Sequence, residues 1–583
     1  MRGDRRWRAG WLVGWLVLGS GCDRSDRVER ERAVAAAPDD PLAARELGRL
    51  LVREPTERAR GVALLEASVQ RAPADGDTLV TLGHAYVALD RIEAGRDLLR
   101  RALAVLPEDA ALVAEIATLS ARLPPGEAPP RAPNVVLVVI DTLRADHVGT
   151  YGYGRPTTPT LDAMAGAGVV FETAVSQAPW TAASVASLLT GLHPSVHGLT
   201  GGIRWDGAPT ASGGLPFVTQ RALSPAVATL PRLLHAHGFH TAGFVSNVYL
   251  SAVFGFAQGF DLYRDERDDY AEDVMTHKRR GEVTIGQVHE WLATGPREPF
   301  FLLVHLNDPH WPYDPPAAFG GEWIAGYDGP LTPAQTGLLI ESEGRPIHGL
   351  TARDVAYLVG LYDGEIRHAD HCLGLLQTEL QAAHLTRPLL TVVTADHGEE
   401  FLEHGSGSHG YTLYDEQIRV PLVLHWPDQL RPQRIAQQVR SIDVLPTVLD
   451  LVGVPVPALG GQGRSLVPLL QGDVTAAPGD AFSEATLRTP REAVRTAAGA
   501  KLVLEPARAQ LFDLRTDPGE HHDVAASDAA VVATLRERLG TWRAANRVDQ
   551  DRLGAGLAPA VVVDPATRAR LRALGYLPEG TAP

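Results

Sequence analysis

Five short apolar runs, each unbroken and each separated from the next by helical stretches, constrain this chain more than any other feature. They are NVVLVVI (134–140), TAGFVS (241–246), FFLLVHL (300–306), LLTVVTA (389–395) and VPLVLHW (420–426). A strand with one wet face alternates polar and apolar residues, whereas a strand covered on both faces reads as a continuous hydrophobic run. The runs therefore predict an α/β domain, a mixed sheet flanked by helices, over residues 134–480. Beyond about 480 the texture shifts to EAVRTAAG, AKLVLEP and AQLFDLR, short strands that suit a small antiparallel subdomain. A helix over about 526–546 follows, so that 481–583 reads as an accessory unit with a tail.

At 583 residues the chain exceeds one compact core, and the segment before the sheet has its own character. Residues 28–122 are rich in Ala, Leu, Arg and Glu, and APDDPLAARELGRLL, APADGDTLVTLGHAY and LPEDAALVAEIATL repeat one another. Pro38, Pro73 and Pro107 lie 35 and 34 residues apart, and the Leu47-Gly48 pair returns at Leu82-Gly83. That period is the one of tetratricopeptide arrays, stacked helix pairs with a concave face. So short an array suits either a spacer or a partner-binding surface. Residues 123–133 (LPPGEAPPRAP) then read as a semi-rigid linker.

The first 21 residues carry four arginines, an apolar run from Trp11 to Leu18 and then small residues, the layout of a secretory signal peptide. The apolar run is too short to span a bilayer as a mature helix. Cys22 directly after small residues resembles the lipobox of bacterial lipoproteins, with Gly19 where that pattern has leucine and Leu18 one place early. The resemblance implies lipid on Cys22 and, with Asp23 next to it, a lipoprotein on the periplasmic side of the inner membrane of a bacterial envelope. The other cysteine, Cys372, lies in an apolar helical pattern and reads as a buried structural thiol, so no disulfide framework is available. A net charge of −16 with no basic stripe past the N-terminus excludes nucleic acid as the expected partner.

Two of the buried runs end in acid. Asp141 follows the first, and Asp396 with His397 follows LLTVVTA. In open α/β sheets ligands sit just outside the carboxyl ends of strands. Two carboxylates and an imidazole suit a divalent cation, and Ca2+, Mn2+, Mg2+ and Zn2+ all stay open. The stretch APWTAASVASLLTGLHP (178–194) puts Thr181 directly before a predicted helix start. A threonine there is either a plain N-cap or a nucleophile favoured by the positive helix end.

From Asn134 to about Val524 the chain resembles the sulfatase family within the alkaline phosphatase superfamily. The resemblance is carried, in order, by NVVLVVIDTLRADHVGTYGY, LLTGLHPSVHG, LNDPHWPYDPP, TADHGEEFLEHG, GSHGYTLYDEQIRVPLV and QLFDLRTDPGEHHDVA. It implies an alkaline-phosphatase-like fold and a metal held by Asp141, Asp396, His397 and Thr181. It further implies His310 on the substrate oxygens, His409 near the leaving group where the family has lysine, and His404 as a substrate-side candidate. Departures are equally informative. Typical members place a cysteine at the position of Thr181, convert it to formylglycine, and follow it with Pro and Arg, where this chain has Ala183 and Val185. Asn247 stands near another family lysine and can donate to a non-bridging oxygen. A threonine cannot become the aldehyde, but phosphoryl-transferring members of the superfamily use a metal-bound threonine as nucleophile.

Three readings follow. The first is a membrane-anchored, metal-dependent enzyme that cleaves or transfers a phosphate-type ester through Thr181. The second is a sulfuric ester hydrolase without formylglycine. The third is a non-catalytic scaffold that binds a partner through its helical repeats, a reading weakened by the presence of Asp141, Asp396, His397, His310 and His409 together.

Overall fold

The computed structural model describes residues 24–562 apart from short gaps and the stretches 89–94, 103–111, 113–126, 206–217, 266–277, 334–348 and 554–559. The signal segment 1–21, Cys22 and the spacing prolines Pro38, Pro73 and Pro107 lie outside the described residues. Among the described residues no helix is long and apolar enough to cross a membrane.

The chain divides into two compact units, 1–124 and 125–583. The first contains helices α1 (Arg24–Ala36), α2 (Pro41–Leu51), α3 (Arg58–Arg71) and α4 (Gly76–Ala88). Leu47, Leu51, Leu65, Leu79 and Leu82 are buried between them. A Cβ on Gly48 would come within 2.8 Å of the Leu65 side chain, and one on Gly83 within 2.7 Å of Leu99. The same close approach thus recurs at the sequence repeat, which is why the pair Leu-Gly returns.

In the second unit the five apolar runs become strands of one mixed sheet. The sheet strands are β1 (Asn134–Ile140), β2 (Val169–Val175), β3 (His240–Phe244), β4 (Leu262–Arg264), β5 (Phe300–Leu306), β6 (Leu389–Ala395), β7 (Arg419–His425), β8 (Gln433–Ile435) and β9 (Val439–Arg440). They lie in the order β8-β2-β7-β6-β1-β5-β3-β4, with β9 also on β2. β1 is central and parallel to both β5 and β6, and every residue of β1 and β5 is buried, as continuous apolar runs require. Ile140 pairs with Leu306 on one side and with Ala395 on the other. The three strands therefore end level, and Asp141, Asn307 and Asp396 leave the sheet together.

A four-stranded antiparallel sheet follows: β10 (Ala481–Ala485), β11 (Arg491–Arg495), β12 (Ala500–Leu504) and β13 (Ala509–Asp513). The last helix among the described residues runs over Ala529–Leu553, later than the 526–546 expected, and packs Leu535, Leu539 and Trp542 onto Val494, Leu502 and Leu511. β10, in the sequence AFSEA, escaped the apolar pattern because Ser483 and Glu484 interrupt it, although both are buried and hydrogen-bonded. Cys372 is buried in a long helix, Ala352–Ala382, as a structural thiol should be.

Candidate active site

The helix after β2, Thr181–Thr190, is buried along its whole length. Its N-cap is Trp180, whose side chain makes no cap hydrogen bond, and Thr181 is the first helical residue. The N-cap reading of Thr181 is therefore not what the structure has. The hydroxyl instead belongs to an uncapped, electropositive helix end where free backbone N–H groups favour an anion. The helix is tied to the sheet through Ser184, whose hydroxyl donates to the Asp396 carbonyl at 2.5 Å.

Thr181 Oγ1 lies 3.4 Å from His397 Nε2 and 3.4 Å from Asn247 Nδ2. The Asn247 amide is oriented at its other end, where Oδ1 accepts from the Tyr249 N–H at 2.9 Å, so the NH2 faces the cleft. It donates to Asp141 Oδ2 at 2.7 Å and reaches Asn307 Oδ1 at 3.3 Å. The structure thus brings together Asp141, Asp396, His397, Thr181 and Asn247, all of them read from the sequence.

Whether these residues fit a divalent ion can be judged from their lone pairs. Asp396 Oδ1 accepts from the N–H groups of Thr142 and His397 at 3.2 and 2.9 Å, while Asp396 Oδ2 and Asp141 Oδ1 are buried with no hydrogen-bond partner. His397 Nδ1 donates to the Gly398 carbonyl at 2.9 Å, which leaves the Nε2 lone pair facing those orphaned oxygens, 3.7 Å from Asp141 Oδ1 and 3.4 Å from Asp396 Oδ2. Burial holds the His397 imidazole neutral by moving its pKa down to about 4, the form a metal binds. The Asp141 carboxyl is pushed well above the usual range, by burial first and by the Asp396 charge second. A divalent cation held by Asp141, Asp396 and His397 would offset both penalties, so the donor set fits one. Gly398 permits the arrangement, since a Cβ there would stand 1.9 Å from the Glu416 carbonyl oxygen.

His310 and His409 line the same cleft. The His409 ring lies 4.5 Å from that of His397 and 4.9 Å from that of His310. His310 Nδ1 donates to the Trp311 carbonyl at 2.5 Å, and burial, reinforced by His409, keeps its imidazole neutral. His409 Nδ1 meets Glu399 Oε1 at 3.1 Å, and Glu399 is held in turn by the Tyr313 hydroxyl at 2.8 Å. The carboxylate keeps the proton on Nδ1 and aims Nε2 away from itself.

His404 is not brought to the cluster. Its ring stacks on Tyr414 at 3.6 Å and Nε2 meets the backbone carbonyls of Gly519 and Glu520 at 3.2 and 3.3 Å. Its neighbour Glu403 accepts from Arg144, just after β1, so the LEHG segment ties its loop to the sheet domain through Glu403 and to residues 519–520 through His404.

Sequence reading missed His305, Asn307 and Glu399. His305 is fully buried on β5 with neither ring nitrogen hydrogen-bonded, with Asp141 and Asp396 it presents ligand atoms within 4.8 Å of one another, and its Nε2 lies 3.6 Å from Asp141 Oδ2. That oxygen is the one Asn247 already holds, so His397, which faces the unpartnered oxygens, is the better metal ligand. The signal for His305 was available, for a histidine within FFLLVHL interrupts an otherwise apolar run. Glu399 sat in plain view in TADHGEEF, but nothing local assigns it to a histidine ten residues on.

The chain belongs to the sulfatase family, which residues 133–454 match. Residues 403–545 match the C-terminal region of N-sulphoglucosamine sulphohydrolase. An arylsulfatase of Clostridium perfringens is 24% identical over 391 residues, 58% of this chain and 78% of the relative. Among solved structures, a 2-O GAG sulfatase superposes with a TM-score of 0.57 at 21% identity, covering 75% of this chain and 96% of its own. A phosphonate monoester hydrolase of Agrobacterium radiobacter does so with a TM-score of 0.56 at 21% identity, covering 71% and 96%. The protein is a sulfatase-like hydrolase of the alkaline phosphatase superfamily with a candidate divalent-metal centre.

Proposed function

We propose that the protein is a membrane-anchored, metal-dependent hydrolase or transferase that attacks an anionic ester with Thr181, phosphoryl-type transfer being favoured over sulfuryl transfer. The observation that carries this reading is the Thr181 hydroxyl itself: first in its helix and 3.4 Å from both His397 Nε2 and Asn247 Nδ2. A divalent ion held by Asp141, Asp396 and His397 would lower the cost of ionising that hydroxyl and neutralise the ester's non-bridging oxygens. Thr181 Oγ1 forms the new bond to phosphorus or sulfur as the bond to the departing oxygen breaks. Asn247 and the helix N–H groups donate to the non-bridging oxygens, and His310 borders the same space. His409, whose Nδ1 proton is held by Glu399, gives the departing oxygen a proton from Nε2 when it is doubly protonated, and the Thr181 proton is lost to solvent as Oγ1 attacks. The reading is further supported by the absence of the cysteine, proline and arginine that formylglycine chemistry uses, and by the structural likeness to a phosphonate monoester hydrolase.

A second reading, sulfuric ester hydrolysis without formylglycine, is supported by the arylsulfatase relatives and the sulphohydrolase-type C-terminal match. A panel of aryl sulfate, aryl phosphate monoester, diester and phosphonate substrates, each with and without chelator, separates the two. Acid quench and mass analysis of the Thr181 peptide then identify the group transferred, phosphoryl or phosphonyl for the first reading and sulfuryl for the second. Lipid on Cys22, a periplasmic site at the inner membrane and a partner or spacer role for residues 28–122 belong to the same proposal. Cys22→Ser releasing the protein from the membrane fraction supports the anchor, and a soluble wild type removes it.

A further inference from the structure

Behind the loop that carries His310 lies a second buried cluster of ionisable groups. Asp308, Glu365 and His368 present ligand atoms within 4.8 Å of one another and are all buried, as Asp141, His305 and Asp396 do in the cleft. Here, though, the counter-charges come from the chain. The Lys278 ammonium pairs with Glu365 Oε1 at 2.9 Å, and Arg280 Nη1 stands 3.6 Å from Glu365 Oε2. His368 stands between two carboxylates, Nε2 2.5 Å from Glu282 Oε1 and Nδ1 2.8 Å from Asp308 Oδ1, and their charges favour the imidazolium against burial. Asp308 Oδ2 and Glu365 Oε2 accept no hydrogen bond, yet the three carboxylates face three basic side chains that supply the charge a metal ion would bring.

The geometry of Lys278 gives this cluster a task. Its three N–H bonds go to three acceptors: Glu365 Oε1, the His310 carbonyl at 2.7 Å, and the Asp308 carbonyl. The two carbonyls flank Pro309, which has no N–H to offer, and the turn's own closure is a single bond from His310 N to Asn307 O at 3.1 Å. The ammonium supplies from outside what the turn lacks. Glu365 completes the attachment by accepting from the Asp314 N–H at 2.7 Å. Both residues draw the segment 308–314 onto the helix Ala352–Ala382, which a Thr351/Asp354 capping box anchors at its start.

We propose that Lys278 is a positioning residue for the reaction: by holding the backbone of 308–310 against Glu365 it sets where Asn307 and His310 stand relative to Thr181. The inference rests on the reading of His310 as a substrate-side group. With all three donors engaged, Lys278 itself neither donates a proton to substrate nor touches it. Displacement of a positioned group by about 1 Å is enough to cost on the order of 10²-fold in rate.

The test separates positioning from mere charge balance. Lys278→Met alone strands the Glu365 carboxylate and lowers stability whichever role is real. The double variant Lys278→Met/Glu365→Gln removes both charges and keeps a carbonyl for the Asp314 N–H, so its melting temperature should return close to wild type. Its kcat, on whichever of p-nitrophenyl sulfate and p-nitrophenyl phenylphosphonate the wild type turns over faster, should stay about 10- to 100-fold down at unchanged metal content, with KM moving less. Independently of turnover, peptides spanning 305–313 should exchange their amide hydrogens faster. Wild-type kcat together with wild-type exchange in the double variant would overturn the proposal. His310→Ala is the control: if it is fully active, the reading of His310 is what fails, whereas an impaired His310→Ala beside a fully active double variant disposes of the role of Lys278 alone.

Discussion

The cleft and the cluster behind the 308–314 segment are built from the same residue types, and they differ in where the balancing charge comes from. In the cleft, Asp141 Oδ1 and Asp396 Oδ2 are buried with no partner, and a neutral imidazole faces them. Behind the loop, Asp308 Oδ2 and Glu365 Oε2 likewise accept no hydrogen bond, but Lys278, Arg280 and His368 stand within 3.6 Å of the carboxylates and balance their charge. The two histidines record the contrast. His397 loses its proton because burial outweighs its neighbours, whereas His368 holds its proton more tightly because Asp308 and Glu282 outweigh burial. Residue types alone therefore do not mark a metal site. An acid cluster without its own cations does.

The contrast can be broken in several places, and Thr181→Ala is the one expected to do most. It should keep the fold and lose on the order of 10³-fold or more in rate, with Thr181→Ser retaining part of it. Steady-state kinetics and metal analysis check this together, and a fully active, metal-replete Thr181→Ala enzyme would leave water as the attacking group. Next come stability changes of opposite sign. Lys278→Met should cost about 3–5 kcal/mol, the scale for stranding a buried charge. Asp141→Asn should abolish metal binding yet stabilise chelator-treated protein by about 1 kcal/mol, because it relieves like-charge repulsion. Melting curves in chelator measure both, and two changes of the same sign would erase the distinction between the clusters.

The pH dependence should split the same way. The raised pKa of His368 means that its contribution is complete below the ordinary histidine range and is lost as pH rises through its folded value. His368→Gln should flatten the alkaline side of the stability profile. His397, with its pKa moved down to about 4, favours the folded state above the ordinary histidine range, and that contribution fades as pH falls toward 4. Denaturant titrations from pH 5 to 9 on wild type and His368→Gln test the assignment, and superimposable profiles would contradict it. The smallest effect belongs to His404→Ala, whose ring is committed to Tyr414 and the carbonyls of Gly519 and Glu520. Its kcat/KM should stay within about twofold of wild type.

The strands and the ends of β1 and β6 were legible because burial on both faces writes itself into consecutive residues. Register was not legible. That Ile140 pairs with both Leu306 and Ala395, and so levels Asp141 with Asn307 and Asp396, depends on contacts across more than 160 residues. The family resemblance supplied Thr181, Asn247, His310 and His409, which no periodicity would have joined. That His404 stands apart from the cluster was not legible either, because adjacency in LEHG says nothing of which way a loop histidine turns. Lys278 was invisible, since its partners are two backbone carbonyls and a helix residue far along the chain.

The buried thiol of Cys372 offers a clock. Gly281 packs so closely against it that a Cβ there would stand 2.6 Å from Sγ, and burial raises the thiol far above its ordinary pKa. No reagent reaches such a sulfur while the helix Ala352–Ala382 lies flat on the segment that follows Arg280. Each alkylation event therefore counts one lifting of that helix, and its rate in chelator, against its rate with metal bound, reads how far occupancy of the cleft quiets motion on the far side of the loop.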